Sequence, residues 1–266
     1  MKTAGKISNL STYNLRMAKS ILDKLFFVDK IDVHSLIDFG CADGTLLGHL
    51  TQWMPDALLI GYDKDTSMLK EAKSKHKGIF FTNNLLNALS HKCGKRGDTA
   101  LLLYSVIHEV YHYSTPEEIE EFWRMIWSCK VKYIIIRDMM PSQSVDRKSD
   151  IDDVVRVMKA GSVLEDFQRI WGSVENNKNL LHFLLKYKYV EPNWNREVKE
   201  NYIPLYRESF LRSIPDEYSV LYQEHYVLPW LKTNVKKDFG IVWKIQVILK
   251  SFWSVNDNNI CVRISI

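Results

Sequence analysis

Three short stretches of the chain carry side chains whose type and spacing can do chemistry. In Asp38-Phe39-Gly40-Cys41-Ala42-Asp43-Gly44-Thr45, two glycines follow an apolar run, so the backbone can turn sharply and approach a ligand with no Cβ in the way. A second apolar run ends in Asp63, followed by Lys64 and Asp65; a carboxylate at that point offers paired acceptors to two vicinal hydroxyls, such as those of a ribose. The third stretch is His108-Glu109-Val110-Tyr111-His112-Tyr113. A histidine titrating near neutrality beside a glutamate can take a proton from a hydroxyl or an amine. The alternative is that Glu109 or His112 caps the following turn while Tyr111 and Tyr113 pack in the core. The glycine turn lacks the middle glycine of a G-x-G-x-x-G dinucleotide fingerprint. Asp38 and Asp43 put negative charge where a pyrophosphate would lie, which suits an amino group or another cation better. Asp38 can also serve merely to cap backbone N–H groups.

Such residues work only if the elements around them place them together. Val33–Phe39, Ala57–Tyr62, Gly78–Thr82, Thr99–Val106 and Val131–Arg137 are short apolar runs of strand length. Between them lie segments of helical spacing: Leu46–Trp53, Thr66–Lys75, and a stretch opened by Thr115-Pro116-Glu117-Glu118 and running to Ser128. An amphipathic helix is expected at Ser11–Phe27. Strand–helix alternation predicts a doubly wound, mostly parallel α/β sheet, whose ligands sit beyond the carboxyl ends of the strands. All three stretches fall at such ends. The helix after Gly44 would turn its free N–H groups to the same place.

After Pro141 the rhythm changes. Helical patterns are read at Val154–Trp171, Asn179–Tyr187 and Glu197–Leu211, then strands at Tyr218–Val227 and Val242–Phe252 around a helix at Pro229–Asp238. The division expected is a core over residues 1–141, a helical insertion over 142–211, and closing strands of the same sheet over 212–266. The insertion starts at the carboxyl edge of the fifth strand and is too long for a mere connection, so it is expected to act as a lid. Asp138, at the end of that strand beside Arg137, either orients a substrate or makes a structural ion pair. Arg196, Glu197, Tyr202 and Tyr206 can line a cavity, although the helical spacing of Tyr202, Tyr206 and Phe210 reads more readily as core. The same holds for Tyr222, His225, Tyr226 and Trp230.

The motifs resemble those of the class I S-adenosylmethionine-dependent methyltransferases. The likeness spans Asp32 to Pro141 and rests on Asp38–Thr45, on Gly61-Tyr62-Asp63-Lys64-Asp65-Thr66, on Asn84-Leu85-Leu86 and on Ser105-Val106-Ile107-His108-Glu109. It implies a Rossmann-like sheet of seven strands. It also implies S-adenosylmethionine as cofactor, with Asp38, Gly40, Cys41, Asp43 and Gly44 along the methionine moiety. Asp63 with Lys64 would then hold the ribose, Asn84 and Leu85 the adenine, and Ser105 would lie along the cofactor. His108 and Glu109 would face substrate. An acidic residue is common where this chain has Asn83-Asn84.

Composition bounds the rest. The chain has 266 residues, 46% hydrophobic and 26% charged, an ordinary globular balance that excludes disorder as the main state. No apolar run is long enough to span a bilayer, and the polar Met1–Lys6 segment opens no signal peptide. The four cysteines contain no Cys-x-x-Cys pair, so neither a metal site nor a disulfide framework is expected, and a cytoplasmic protein is. The net charge of +4 is small, and acids balance bases between Ser142 and Gly240. A long nucleic-acid interface would show a stronger cationic stripe than Lys70–Lys77, Lys92–Arg96 or Lys232–Lys237. The acceptor expected is therefore an O or N atom of a small or modest polar molecule. An RNA methyltransferase and a non-catalytic S-adenosylmethionine-binding subunit remain the alternatives.

Overall fold

The computed structural model describes residues 21–91, 98–189, 193–242, 250–251 and 259–265. A short helix α1 (Ile21–Lys24) precedes β1 (Ser35–Phe39), α2 (Thr45–Trp53), β2 (Leu58–Tyr62), α3 (Thr66–Lys75), β3 (Phe80–Thr82) and α4 (Leu85–His91). Then come β4 (Thr99–Tyr104), α5 (Ile107–Tyr113), α6 (Pro116–Ser128) and β5 (Tyr133–Met139). Up to this point the elements follow the periodicity of the sequence to within two residues at nearly every boundary. Residues 11–20 of the expected first helix, and the cationic run Lys92–Arg96, lie outside the described residues.

The strands run β3-β2-β1-β4-β5-β8-β6-β7 across one sheet, all neighbours parallel except β6 and β7. Here β6 is Ser219–Tyr226, β7 Lys250–Ser251 and β8 Asn259–Ser265. This is a Rossmann-like, doubly wound α/β fold. The seven strands expected are eight among the described residues. The strand beside β5 is β8, which no sequence reading anticipated, and most of the expected closing strand Val242–Phe252 lies outside the described residues. The central strands are buried on both faces, as a parallel sheet under two helical layers requires. Along β4, Ala100, Leu102 and Tyr104 join one core with Leu47, Leu50, Phe26 and Phe27. Leu101 and Leu103 point the other way into a core with Ile107, Phe122 and Ile126. The period of two thus sorts one apolar run between two cores. Helix α6 opens on the expected cap: Thr115 Oγ1 accepts from the Glu118 N–H at 3.3 Å, and the Glu118 carboxylate accepts from the Thr115 N–H at 3.0 Å.

A third core gathers residues from Val145 to Ile241, among them Phe167, Leu181, Phe183, Val235 and Phe239. It is built by α7 (Ile151–Val157), α8 (Ser162–Trp171), α9 (Asn177–Lys186) and α12 (Pro229–Phe239). The pattern read as one helix over Val154–Trp171 is two, separated by a 3-10 turn and by Gly161 at φ 56°. The helix expected over Glu197–Leu211 is not continuous either. Only α10 (Trp194–Glu197) and α11 (Arg207–Arg212) are helical. Pro204 has no N–H to donate and forces Ile203 away from helical backbone, so Tyr202 and Tyr206 share no helix face.

Candidate active site

The turn after β1 is held by backbone. The N–H groups of Gly40 and Cys41 both donate to the Tyr62 carbonyl, at 2.8 and 3.0 Å, and Gly44 N–H donates to the Cys41 carbonyl at 2.9 Å. Gly40, Ala42 and Gly44 have φ of 81°, 47° and 75°, so the turn is tight and left-handed at three points. A Cβ on Gly40 would lie 3.1 Å from Val106, and one on Gly44 only 2.7 Å from Phe81. Any side chain at Gly40 would therefore disturb the turn itself, whatever it did to a ligand.

Asp63 stitches this turn to the end of β2. One carboxylate oxygen accepts from the Ala42 N–H and the other from the Asp65 N–H, both at 2.8 Å. Each oxygen keeps a further lone pair for an incoming hydroxyl. Burial raises its pKa against those two N–H donors. Asp38, at the end of β1, is 4% exposed, and burial pushes it up to about 7 despite the pull of Lys24. A buried carboxyl held on the edge of ionisation is a ready partner for a cationic group.

The other candidates of this half are placed variously. Asp43 faces its own structure: it accepts from Thr45 N–H and Oγ1 at 3.2 and 2.8 Å and pairs with Lys75 at 2.9 Å. Cys41 is buried beside these acids, and burial drives its thiol far above the ordinary range, which leaves it a small filler. Lys64 is exposed beside Asp63. Asn84 receives the Asn87 N–H at 3.1 Å and so caps α4, with Leu85 half-buried beside it. Ser105 has φ 55°, and its hydroxyl accepts from Arg137 at 3.4 Å. Arg137 in turn is bound to Asp23 at 2.6 Å.

At the ends of β4 and β5 a second, ionic group forms. Asp138, 1% exposed, accepts from the N–H groups of Ile107 and His108 with one oxygen, at 2.7 and 3.3 Å. Its other oxygen meets His108 Nδ1 at 2.6 Å. Burial opposes charge on His108, but the charge and hydrogen bond of Asp138, with Glu200 and Glu109 behind it, raise it to about 9. Burial raises Glu109, against the pull of His108 and Arg196, and pushes Glu200 up to about 7. Arg196 Nη2 lies 3.8 Å from Glu109 and 3.6 Å from Glu200, so the stretch after α10 stands over the start of α5.

That stretch is pinned from behind. Lys186, fully buried on α9, donates to the carbonyls of Glu197 at 2.6 Å and Val198 at 3.4 Å and to that of Glu200, under the rings of Trp171 and Tyr202. Tyr202 is buried, its hydroxyl on the Glu197 carboxylate and its N–H donating to His182 Nε2 at 3.1 Å. Tyr206 binds Asp146 at 2.5 Å, away from this group. Glu200, Lys186 and His182 were not singled out in the sequence, because nothing in a charged loop or an apolar helix marks which charge ends up buried. Among the described residues no helix is long and apolar enough to cross a membrane.

In a doubly wound sheet ligands sit beyond the carboxyl ends of the strands, and the acid-flanked glycine turn and Asp63 stand at two such ends. No family model matches the chain. It is 30% identical over 76 residues to "Putative methyltransferase 235L" of Invertebrate iridescent virus 6, over 27% of this chain and 29% of that protein. The match thus spans under a third of the relative's length. Among solved structures, the plantazolicin methyltransferase BpumL, in complex with a monoazolic desmethylPZN analog and SAH, aligns over 85% of this chain and 68% of its own. The identity is 15% and the TM-score 0.40. The sugar N-methyltransferase KedS8 from Streptoalloteichus sp ATCC 53650 aligns over 56% and 61%, with 16% identity and a TM-score of 0.38. Magnesium protoporphyrin IX methyltransferase from Synechocystis PCC 6803, with bound SAM, aligns over 44% and 56%, with 21% identity and a TM-score of 0.29. These four proteins are methyltransferases by name.

Proposed function

We propose that the chain is an S-adenosylmethionine-dependent methyltransferase acting on an O or N atom of a small polar substrate. The observation that carries this reading is the acidic cradle: Asp38, buried at the root of a left-handed turn, and Asp63, its two oxygens fixed by the Ala42 and Asp65 amides. The donor set fits a ligand with a cationic amino acid end and a ribose, and it repels a pyrophosphate. In this reading Asp38 and the backbone of Gly40 to Gly44 take the methionine end, Asp63 the ribose, and Asn84 and Leu85 flank the base.

When bound, S-adenosylmethionine supplies an electrophilic methyl on a sulfonium, and the carbon–sulfur electron pair returns to sulfur as the methyl leaves. The chain's own groups bind and orient the acceptor. Glu109 takes the proton that the attacking O or N atom loses. His108, charged and locked by Asp138, donates from Nε2 to a polar atom of the acceptor. The helices that follow β5 close over the carboxyl edge of the sheet and exclude water. Most of the rate gain then comes from alignment of acceptor and methyl in a closed site.

Calorimetric titration of the chain with S-adenosylhomocysteine and, separately, with NADH tests the reading. One saturable site for the first and none for the second is expected. Binding of NADH alone would overturn it.

A further inference from the structure

Two ligand-competent side chains of α5 and one from the stretch after α10 converge beyond the carboxyl end of β4. One atom each from His108, Glu109 and Glu200 lies within 4.8 Å of the other two. Asp138 engages His108 Nδ1, so Nε2 is turned to the opposite side, where Glu200 Oε1 stands 3.7 Å away. That gap is too long for a hydrogen bond. Two ligands each about 2.0–2.2 Å from a shared metal ion, however, stand about 3–4 Å apart. Glu200 is 2% exposed, and its Oε1 has no hydrogen-bond partner, while its other oxygen faces Arg196. The buried carboxylate oxygen accepts no hydrogen bond and faces, at ion-pair distance, an imidazole whose other nitrogen is already fixed, which is the spacing of two ligands about one ion.

We infer that His108 Nε2, Glu109 and Glu200 bind one divalent transition-metal ion, with Asp138 as the carboxylate behind the histidine. A metal-binding histidine commonly donates its other ring N–H to a carboxylate, which sets the tautomer and the ring orientation. One imidazole and two carboxylates suit manganese, iron(II) or zinc better than magnesium or calcium, which favour oxygen alone. Arg196 offsets part of the carboxylate charge, which leaves the ion electrophilic toward a further oxygen or nitrogen ligand. With the ion bound, His108 and Glu109 are ligands and no longer the proton donor and proton acceptor of the preceding reading, so the two are alternative states of one site; uptake of the ion does not depend on methyl transfer.

The full chain, stripped with a chelator, is titrated with Mn2+ by calorimetry and electron paramagnetic resonance, in parallel with S-adenosylhomocysteine. One ion per chain is expected. Glu200→Gln should weaken Mn2+ at least tenfold and leave S-adenosylhomocysteine affinity within about twofold, with circular dichroism reporting an intact fold. If that variant does not fold, Glu109→Gln is read for its Mn2+ affinity alone, with the same tenfold loss expected. Absence of saturable uptake, uptake unchanged in both variants, or binding of ethylammonium with no Mn2+ uptake would each overturn the inference. Glu200-dependent Mn2+ binding with no S-adenosylhomocysteine binding would remove the methyltransferase reading and leave the metal site standing.

Discussion

The turn after β1 and the stretch after α10 flank the same edge of the sheet, yet they are built by opposite means. The first is backbone work: three left-handed residues, two amides on one carbonyl, and an aspartate that grips two further amides. The second is an ionic assembly in which Asp138, His108, Glu200 and Arg196 come from two strand ends and a distant loop, with Lys186 clamping that loop from within a helical core. A site made of backbone is fixed by local sequence and is cheap to keep. One made of buried charges depends on every partner being present, because each charge left alone keeps its desolvation cost.

The largest effect expected separates the two. Asp138→Ala leaves a buried His108 without its counter-charge and two helix N–H groups of α5 without an acceptor. Loss of one partner of a buried pair costs about 3–5 kcal/mol. Urea unfolding at pH 7 should show a loss of that size. A loss below about 1 kcal/mol would mean that the ionic group is not the weak point of the edge.

Asp63→Ala should come next. It frees the Ala42 and Asp65 amides at the surface, where water replaces the carboxylate, so the fold loses little. The ligand loses a charged acceptor worth about 1.5–3 kcal/mol per hydrogen bond. S-adenosylhomocysteine affinity is therefore expected to fall by about tenfold or more, with a melting temperature near that of the unaltered chain. Unchanged affinity would show that the ribose does not reach β2.

The same contrast explains what the sequence made legible. The glycines, Asp63 and the strand ends were readable because turns and sheet edges are local, and apolar runs of strand length announce themselves. Strand β8 is not legible in the sequence, since Asn259–Ser265 pairs with β5 across more than a hundred residues of chain and Arg263 interrupts its apolar run. The helix expected over Glu197–Leu211 fails at Pro204, a breaker that deserved more weight than the spacing of the aromatic residues. Glu200 and Lys186 look like any surface charge in the sequence, and only the tertiary packing of α9 under that loop buries them. Asp43, expected along the methionine moiety, has its side chain on Thr45 and Lys75.

Acid should loosen the helical region before the sheet. His182 is buried and neutral, accepting the Tyr202 N–H, and burial together with the charge of Lys186 holds its pKa down to about 2. In the unfolded chain an imidazole titrates near about 6.5. Between those values the unfolded state binds the extra proton, so stability present above about pH 6.5 is lost as pH falls toward 2, at up to about 1.4 kcal/mol per unit. Asp38 and Glu200, both pushed up to about 7, take up protons in the folded state over the same window and oppose this effect. The test is therefore the difference: between pH 7.5 and 5, His182→Gln should change the slope of unfolding free energy by about one proton relative to the unaltered chain. Equal slopes in the two proteins would place the acid sensitivity elsewhere.

The smallest effect belongs to the backbone-built side. Lys75 pairs with Asp43 at 2.9 Å and with Glu71 one helical turn earlier, and its side chain is 40% exposed. An ion pair with one partner in water contributes about 0.2–1 kcal/mol. Asp43 keeps both Thr45 contacts when the lysine is removed, so its hold on the first residue of α2 survives. Lys75→Met is therefore expected to lower stability by under about 1 kcal/mol, with a loss that shrinks further in high salt as screening takes over. A loss as large as that of Asp138→Ala would show that Asp43 is as dependent on its cation as His108 is on its anion, and the two halves of the edge would then be built alike.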